Sequence, residues 1–69
     1  MPVKVVELVG ESAKSWDDAV RSAVNDAARS IPNISGVEVY NLTANVEGGK
    51  LTEYKANVKI AYADNGGMS

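Results

Sequence analysis

The chain has 69 residues, 45% of them hydrophobic and 23% charged, with a net charge of −2. That is room for one domain, and a core of this size is marginal without staples or partners. There is neither cysteine nor histidine, which excludes disulfides and any metal site built on side-chain sulfur or nitrogen, and leaves association between copies as the remedy. The scattered lysines and arginines form no basic patch for nucleic acid. No run approaches 18 apolar residues, and MPVKVVELVG lacks a signal-peptide layout, so no membrane partner is expected and the cytoplasm is the default location.

Residues 3–9, VKVVELV, predict a strand rich in β-branched side chains. Val5 and Val9 fall on one face, Val6 and Leu8 on the other, so both faces want cover. Gly10 is read as the end of this strand. A helix follows, with Ser12 or Ser15 as N-cap and Asp17 and Asp18 in its first turns, where the helix dipole favours anions. Trp16, Ala19, Val20, Ala23, Val24, Ala27 and Ile31 trace one helical face, much of it alanine, which lets helix and sheet approach closely. Pro32 stops the helix.

GVEVYNLTANVE, Gly48-Gly49 and KLTEYKANVKIAY then read as a hairpin of two long strands around a two-residue turn. Thirteen extended residues would reach about 43 Å at ~3.3 Å each, whereas a compact domain of this length has a radius of gyration of only about 11 Å. One chain does not cover such strands. With uninterrupted pairing from Glu47–Lys50, one face holds Val37–Ile60, Val39–Val58, Asn41–Ala56 and Thr43–Tyr54 and packs on the helix. The other holds Glu38–Lys59, Tyr40–Asn57, Leu42–Lys55, Ala44–Glu53 and Val46–Leu51. Too apolar for solvent and too polar for a core, that second face is read as an interface and ligand surface. The polar stretch 64–69 reads as a frayed tail of the single domain 1–69. The class is α+β in β-α-β-β order, a three-stranded antiparallel sheet curled around one helix.

That order, with VVELVGES, SWDDAV, GVEV and GGKLTEYKANVKIAY at these spacings, resembles the dodecin family over residues 3–62. The resemblance implies a hollow homododecamer whose long hairpins are covered by neighbouring subunits. It also implies a small ligand. Flavin-binding members stack the flavin on a tryptophan two residues before the Glu-Val of the second strand, a position held here by Gly36. They hydrogen-bond it with a glutamine after the tyrosine of the third strand, held here by Lys55. An arginine further along the second strand falls near Thr43. Gly36 offers no ring, and Lys55 donates without accepting. The Ser-Trp-acid opening of the helix is closer to the calcium dodecins, a second branch of the family.

The chemistry open to the chain is therefore binding, with no enzyme expected. Ser12, Ser15, Ser22, Ser30, Ser35 and Ser69 have no identifiable base to activate them, and Asp17 and Asp18 read as a solvated helix start. Calcium takes six to eight oxygen ligands, and one carboxylate per subunit becomes three at a three-fold axis. Glu11, Asp17, Asp18, Glu47 and Glu53 are the candidate metal ligands, each with a solvated acid as its ordinary alternative. DNGG at 64–67 lacks the acidic positions of an EF-hand. For a planar ligand the candidate surface is Gly36, Tyr40, Leu42 and Lys55. Three readings remain: a shell binding calcium or another small ligand, a flavin-storing shell with an altered pocket, and a purely structural assembly.

Overall fold

The structure is a computed structural model, describing residues 2–64. Four elements follow in chain order: β1 (Val3–Ser12), α1 (Trp16–Ala28), β2 (Ile34–Glu47) and β3 (Lys50–Ala63). They form one antiparallel sheet in the order β1-β3-β2, with the last strand in the middle. The expected α+β architecture is what the chain adopts.

Ser15 is the N-cap: its hydroxyl accepts from the Asp18 backbone N–H at 3.0 Å, with Asp17 and Asp18 in the first turn. Ser12 sits one level below. Its hydroxyl donates to Asp18 Oδ2 at 2.7 Å and accepts from the Lys14 backbone N–H at 2.9 Å, which satisfies the one polar side chain buried among the described residues. At the other end the Ile31 N–H returns to the Ala27 carbonyl, and Pro32 follows.

Gly10 does not end β1, which runs on to Ser12. Its role is contact. A Cβ at this position would lie 1.9 Å from the Ala19 carbonyl oxygen and 2.9 Å from Ala23 Cβ. The helix can sit on the sheet only because position 10 has no side chain and the helix presents Ala19, Ala23 and Ala27. With Ala56, Val58 and Ile60 of β3 these alanines make the buried core, flanked by Val6, Leu8, Val20, Val24, Ile31 and Ile34. A core whose largest fully buried side chains are Ile60 and Val58 is small by any measure.

The pairing of β2 with β3 departs from the uninterrupted ladder. Gly48 and Gly49 make the turn at φ 59° and 78°, the left-handed values that glycine adopts without penalty. Glu47–Lys50, Val46–Leu51, Glu38–Lys59, Val39–Val58 and Val37–Ile60 pair as expected. Between them the register is shifted by one residue, so that Asn41 faces Asn57, Leu42 faces Ala56, Thr43 faces Lys55 and Ala44 faces Tyr54. Two bulges of opposite sense bracket the segment, and a third irregularity lies between Ile34 and Gly36. Directly opposed residues share a face, so Leu42 stands with Ala56 on the helix side rather than beside Lys55.

The molecule is elongated, 54 × 19 × 12 Å with a radius of gyration of 14.1 Å, against about 11 Å for a compact chain of this length. Val37, Val39 and Leu42, on the helix side of β2, are left exposed, as are Val3, Val5 and Val9 on the outer side of β1. Beyond Ala63, the Asp64 N–H bonds to the Pro2 carbonyl and its carboxylate lies 2.9 Å from Lys4 Nζ. That carboxylate, by hydrogen bond and charge, raises the Lys4 pKa above its ordinary value. The expected fraying thus does not begin at Asp64; the rest of the tail, 65–69, lies outside the described residues.

Candidate functional site

The outer face of the sheet alternates charge and amide along β3. Lys59 is opposed by Glu7 on β1 and Glu38 on β2, Asn57 by Val9 and Asn41, and Lys55 by Glu11 and Thr43. Tyr40 is the extra residue of a bulge. Its ring lies under Lys59, with Nζ 5.2 Å from the centroid, and its hydroxyl is 3.4 Å from Glu7 Oε1. The Asn57 amide donates to Asn41 Oδ1 at 2.6 Å. Gly36 opens the same face opposite Ala61, with nothing within 4 Å of where a Cβ would stand. Gly36, Tyr40 and Lys55 therefore border one surface, and Leu42 does not.

The carboxylates are more dispersed. Asp17 pairs with Arg21 one helical turn on, and Asp18 is held by Ser12 and the helix start. Glu47 lies at the turn opposite Lys50. Glu11 and Glu53 come together: with Ser12, Ala13 and Thr52 they line an open hollow of about 400 Å³ at the end of β1. Glu53 shares the face of Glu11 because it lies two residues from Lys55, the partner of Glu11, and the β3 bulge sets Thr52 beside it against the single residue Asn45. Glu53 accepts from the Asn45 amide at 3.1 Å, with Lys55 Nζ 4.0 Å away. Among the described residues no three acidic side chains of one chain are placed to share an ion.

Trp16 is fixed. Its indole N–H donates to the Thr43 carbonyl at 2.7 Å, and its ring meets Tyr54 edge-to-face at 5.1 Å between centroids. Helix start, β3 and β2 are thereby tied together by one side chain. Spacing places Trp16 on the apolar face of the helix but does not reveal Thr43 and Tyr54 as its partners.

Comparison with known proteins decides the family. The family model for dodecins matches residues 3–64. The chain belongs to the dodecin family. Dodecin from Streptomyces coelicolor superposes with a TM-score of 0.84 at 28% identity, covering 88% of this chain and 87% of its own. Dodecin from Streptomyces davaonensis gives 0.84 at 23%, covering 91% and 94%. The calcium-chelating antigen calcium dodecin of Mycobacterium tuberculosis, described with a novel calcium-binding site, gives 0.81 at 23%, covering 93% and 91%. A search of the curated proteins finds no match. Family and fold are those of small ligand-binding proteins. No described helix is long and apolar enough to cross a membrane.

Proposed function

We propose that this dodecin assembles into a hollow homododecamer that binds calcium, or another small cationic ligand, at carboxylates pooled between subunits. The observation that carries the reading is the hollow at the end of β1, which Glu11, Glu53 and Thr52 line together. Calcium needs six to eight oxygens, so the two carboxylates of one chain fit as part of a set completed by a second copy. Asp17, Asp18 and Glu47 are the further acids from which neighbouring copies would draw. The likeness to the mycobacterial calcium dodecin supports this choice of ion. The exposed rows Val37, Val39, Leu42 and Val3, Val5, Val9 support assembly, since apolar surface of this extent on so small a chain is ordinarily an interface.

The test is thermal unfolding with chelator and with millimolar calcium. Ligand that binds only the folded state stabilises by about 2.7 kcal/mol at a hundredfold excess over its Kd. Calcium is expected to raise the melting temperature of the native protein and not that of a Glu11→Gln/Glu53→Gln variant. A melting temperature indifferent to chelator and calcium would contradict the site. A flavin reading keeps one observation in its favour, the open space at Gly36 beside the Tyr40–Lys59 face. A yellow protein on purification would establish it.

A further inference from the structure

A single bulge in an antiparallel pair is locked in, because removing it would shift every pair beyond it and turn each side chain to the other face. The β2–β3 hairpin carries two that cancel. Tyr40 is the extra residue on β2, and Thr52 with Glu53 oppose Asn45 alone on β3. Six residues of β2, 40–45, therefore lie against six of β3, 52–57. An unbulged ladder fits the same stretch and keeps the pairs Val46–Leu51 and Val39–Val58, and because each strand loses one bulge, the tip of the hairpin turns over with the segment. We propose that this segment is a two-register element, pinned in its bulged register by Trp16.

In the unbulged register Tyr40 would face Asn57, Asn41 would face Ala56 and Leu42 would face Lys55. Residues 41–47 and the facing tip of β3 would turn by half a revolution about the strand axis, taking Leu42, Ala44 and Val46 to the outer face and Asn41 and Thr43 to the helix side. The same half-turn reverses the direction of the Thr43 carbonyl. Trp16 Nε1, 2.7 Å from that oxygen, reaches Thr43 in one register only and must re-form its bond to a neighbouring carbonyl in the other. The hydrogen bond of 2.6 Å from the Asn57 amide to Asn41 Oδ1 likewise requires both side chains on one face. Against these two contacts stand the ladder bonds that each bulge forgoes. Burial does not decide between the registers, since Leu42 is 49% exposed where it now stands. Whatever covers one face of β2 would select between them, and the surface around Lys55 would change from Thr43 to Leu42 accordingly. This inference stands apart from the ion site, because the register is read without any ligand.

The chain has no cysteine, so introduced pairs report the register by covalent trapping. Cysteines bridge when directly opposed and not when their Cβ atoms point to opposite faces. Thr43→Cys/Lys55→Cys should close within one chain in the native background, and Leu42→Cys/Lys55→Cys should not, scored by loss of alkylatable thiols in the monomer band. Adding Trp16→Phe, which keeps a ring against Tyr54 but loses the N–H, should favour closure of the Leu42–Lys55 pair by roughly five-fold, the weight of one hydrogen bond in a two-state ratio. Asn41→Val, which breaks the other pinning contact without touching the helix, should act in the same direction and stands in should Trp16→Phe not fold. Failure of the Leu42–Lys55 pair to close in every folded variant would overturn the proposal.

Discussion

At the scale of single residues, two glycines carry opposite meanings. Gly10 is required by contact: with the Ala19 carbonyl 1.9 Å from where its Cβ would be, Gly10→Ala must push the helix off the sheet. Overpacking of this kind costs typically 1–3 kcal/mol, and displacement of backbone puts this case at about 3 kcal/mol or more. Denaturant titration checks it, and an unchanged midpoint would mean that the helix sits further from β1 than described. Gly36 is under no such constraint, with nothing within 4 Å, and so Gly36→Trp should leave the fold intact. Stacking of a base on an aromatic ring is worth ~1–3 kcal/mol, about 5- to 150-fold in affinity. Gly36→Trp/Lys55→Gln should therefore gain measurable quenching of riboflavin fluorescence over the native protein. No gain would show that more than these two side chains separates this chain from flavin binding. Gly10 was misjudged from sequence for a physical reason: a glycine that ends a strand and one that admits a helix look alike until the opposing alanines are placed.

At the scale of elements, the helix was legible because its signals are local. Alanine spacing, the Ser15 cap and the stop at Pro32 all lie within one stretch, and Ser15→Ala should cost about 1 kcal/mol, measured as the shift in unfolding midpoint relative to the native chain. The hairpin was legible in its turn and at its two ends but not in its middle. The signal was present. Apolar positions run Val37, Val39 and then Leu42, Ala44, Val46, a change from odd to even numbers across Tyr40 and Asn41, which is what one inserted residue produces. A symmetric count back from Gly48-Gly49 hid it, because the second bulge restores the register beyond. The consequence reached the candidate site. Leu42 leaves the Lys55 face, while Thr52 joins Glu53 against Asn45 and lines the hollow with Glu11. That Glu11 and Glu53 border one hollow was not readable from spacing along the chain, since they lie on different strands and the pairing of β1 with β3 was not assigned residue by residue.

At the scale of the whole molecule, the shape argues for assembly. A radius of gyration of 14.1 Å with apolar side chains exposed on both faces of the sheet describes a subunit rather than a finished globule. Disrupting a covered apolar row with charge should dissociate it. Leu42→Asp is expected to reduce the particle to a fraction of its native mass in light scattering, and a variant of unchanged size would mean that this side of β2 is not an interface. The measurement that bears most directly on the account is native mass spectrometry of the protein as purified, without added ligand. A twelve-subunit mass that carries calcium and no flavin, and that loses the ion on chelation, is the expected result. A monomer would contradict the assembly on which the proposed site depends, and a twelve-subunit mass carrying flavin would contradict the choice of ligand.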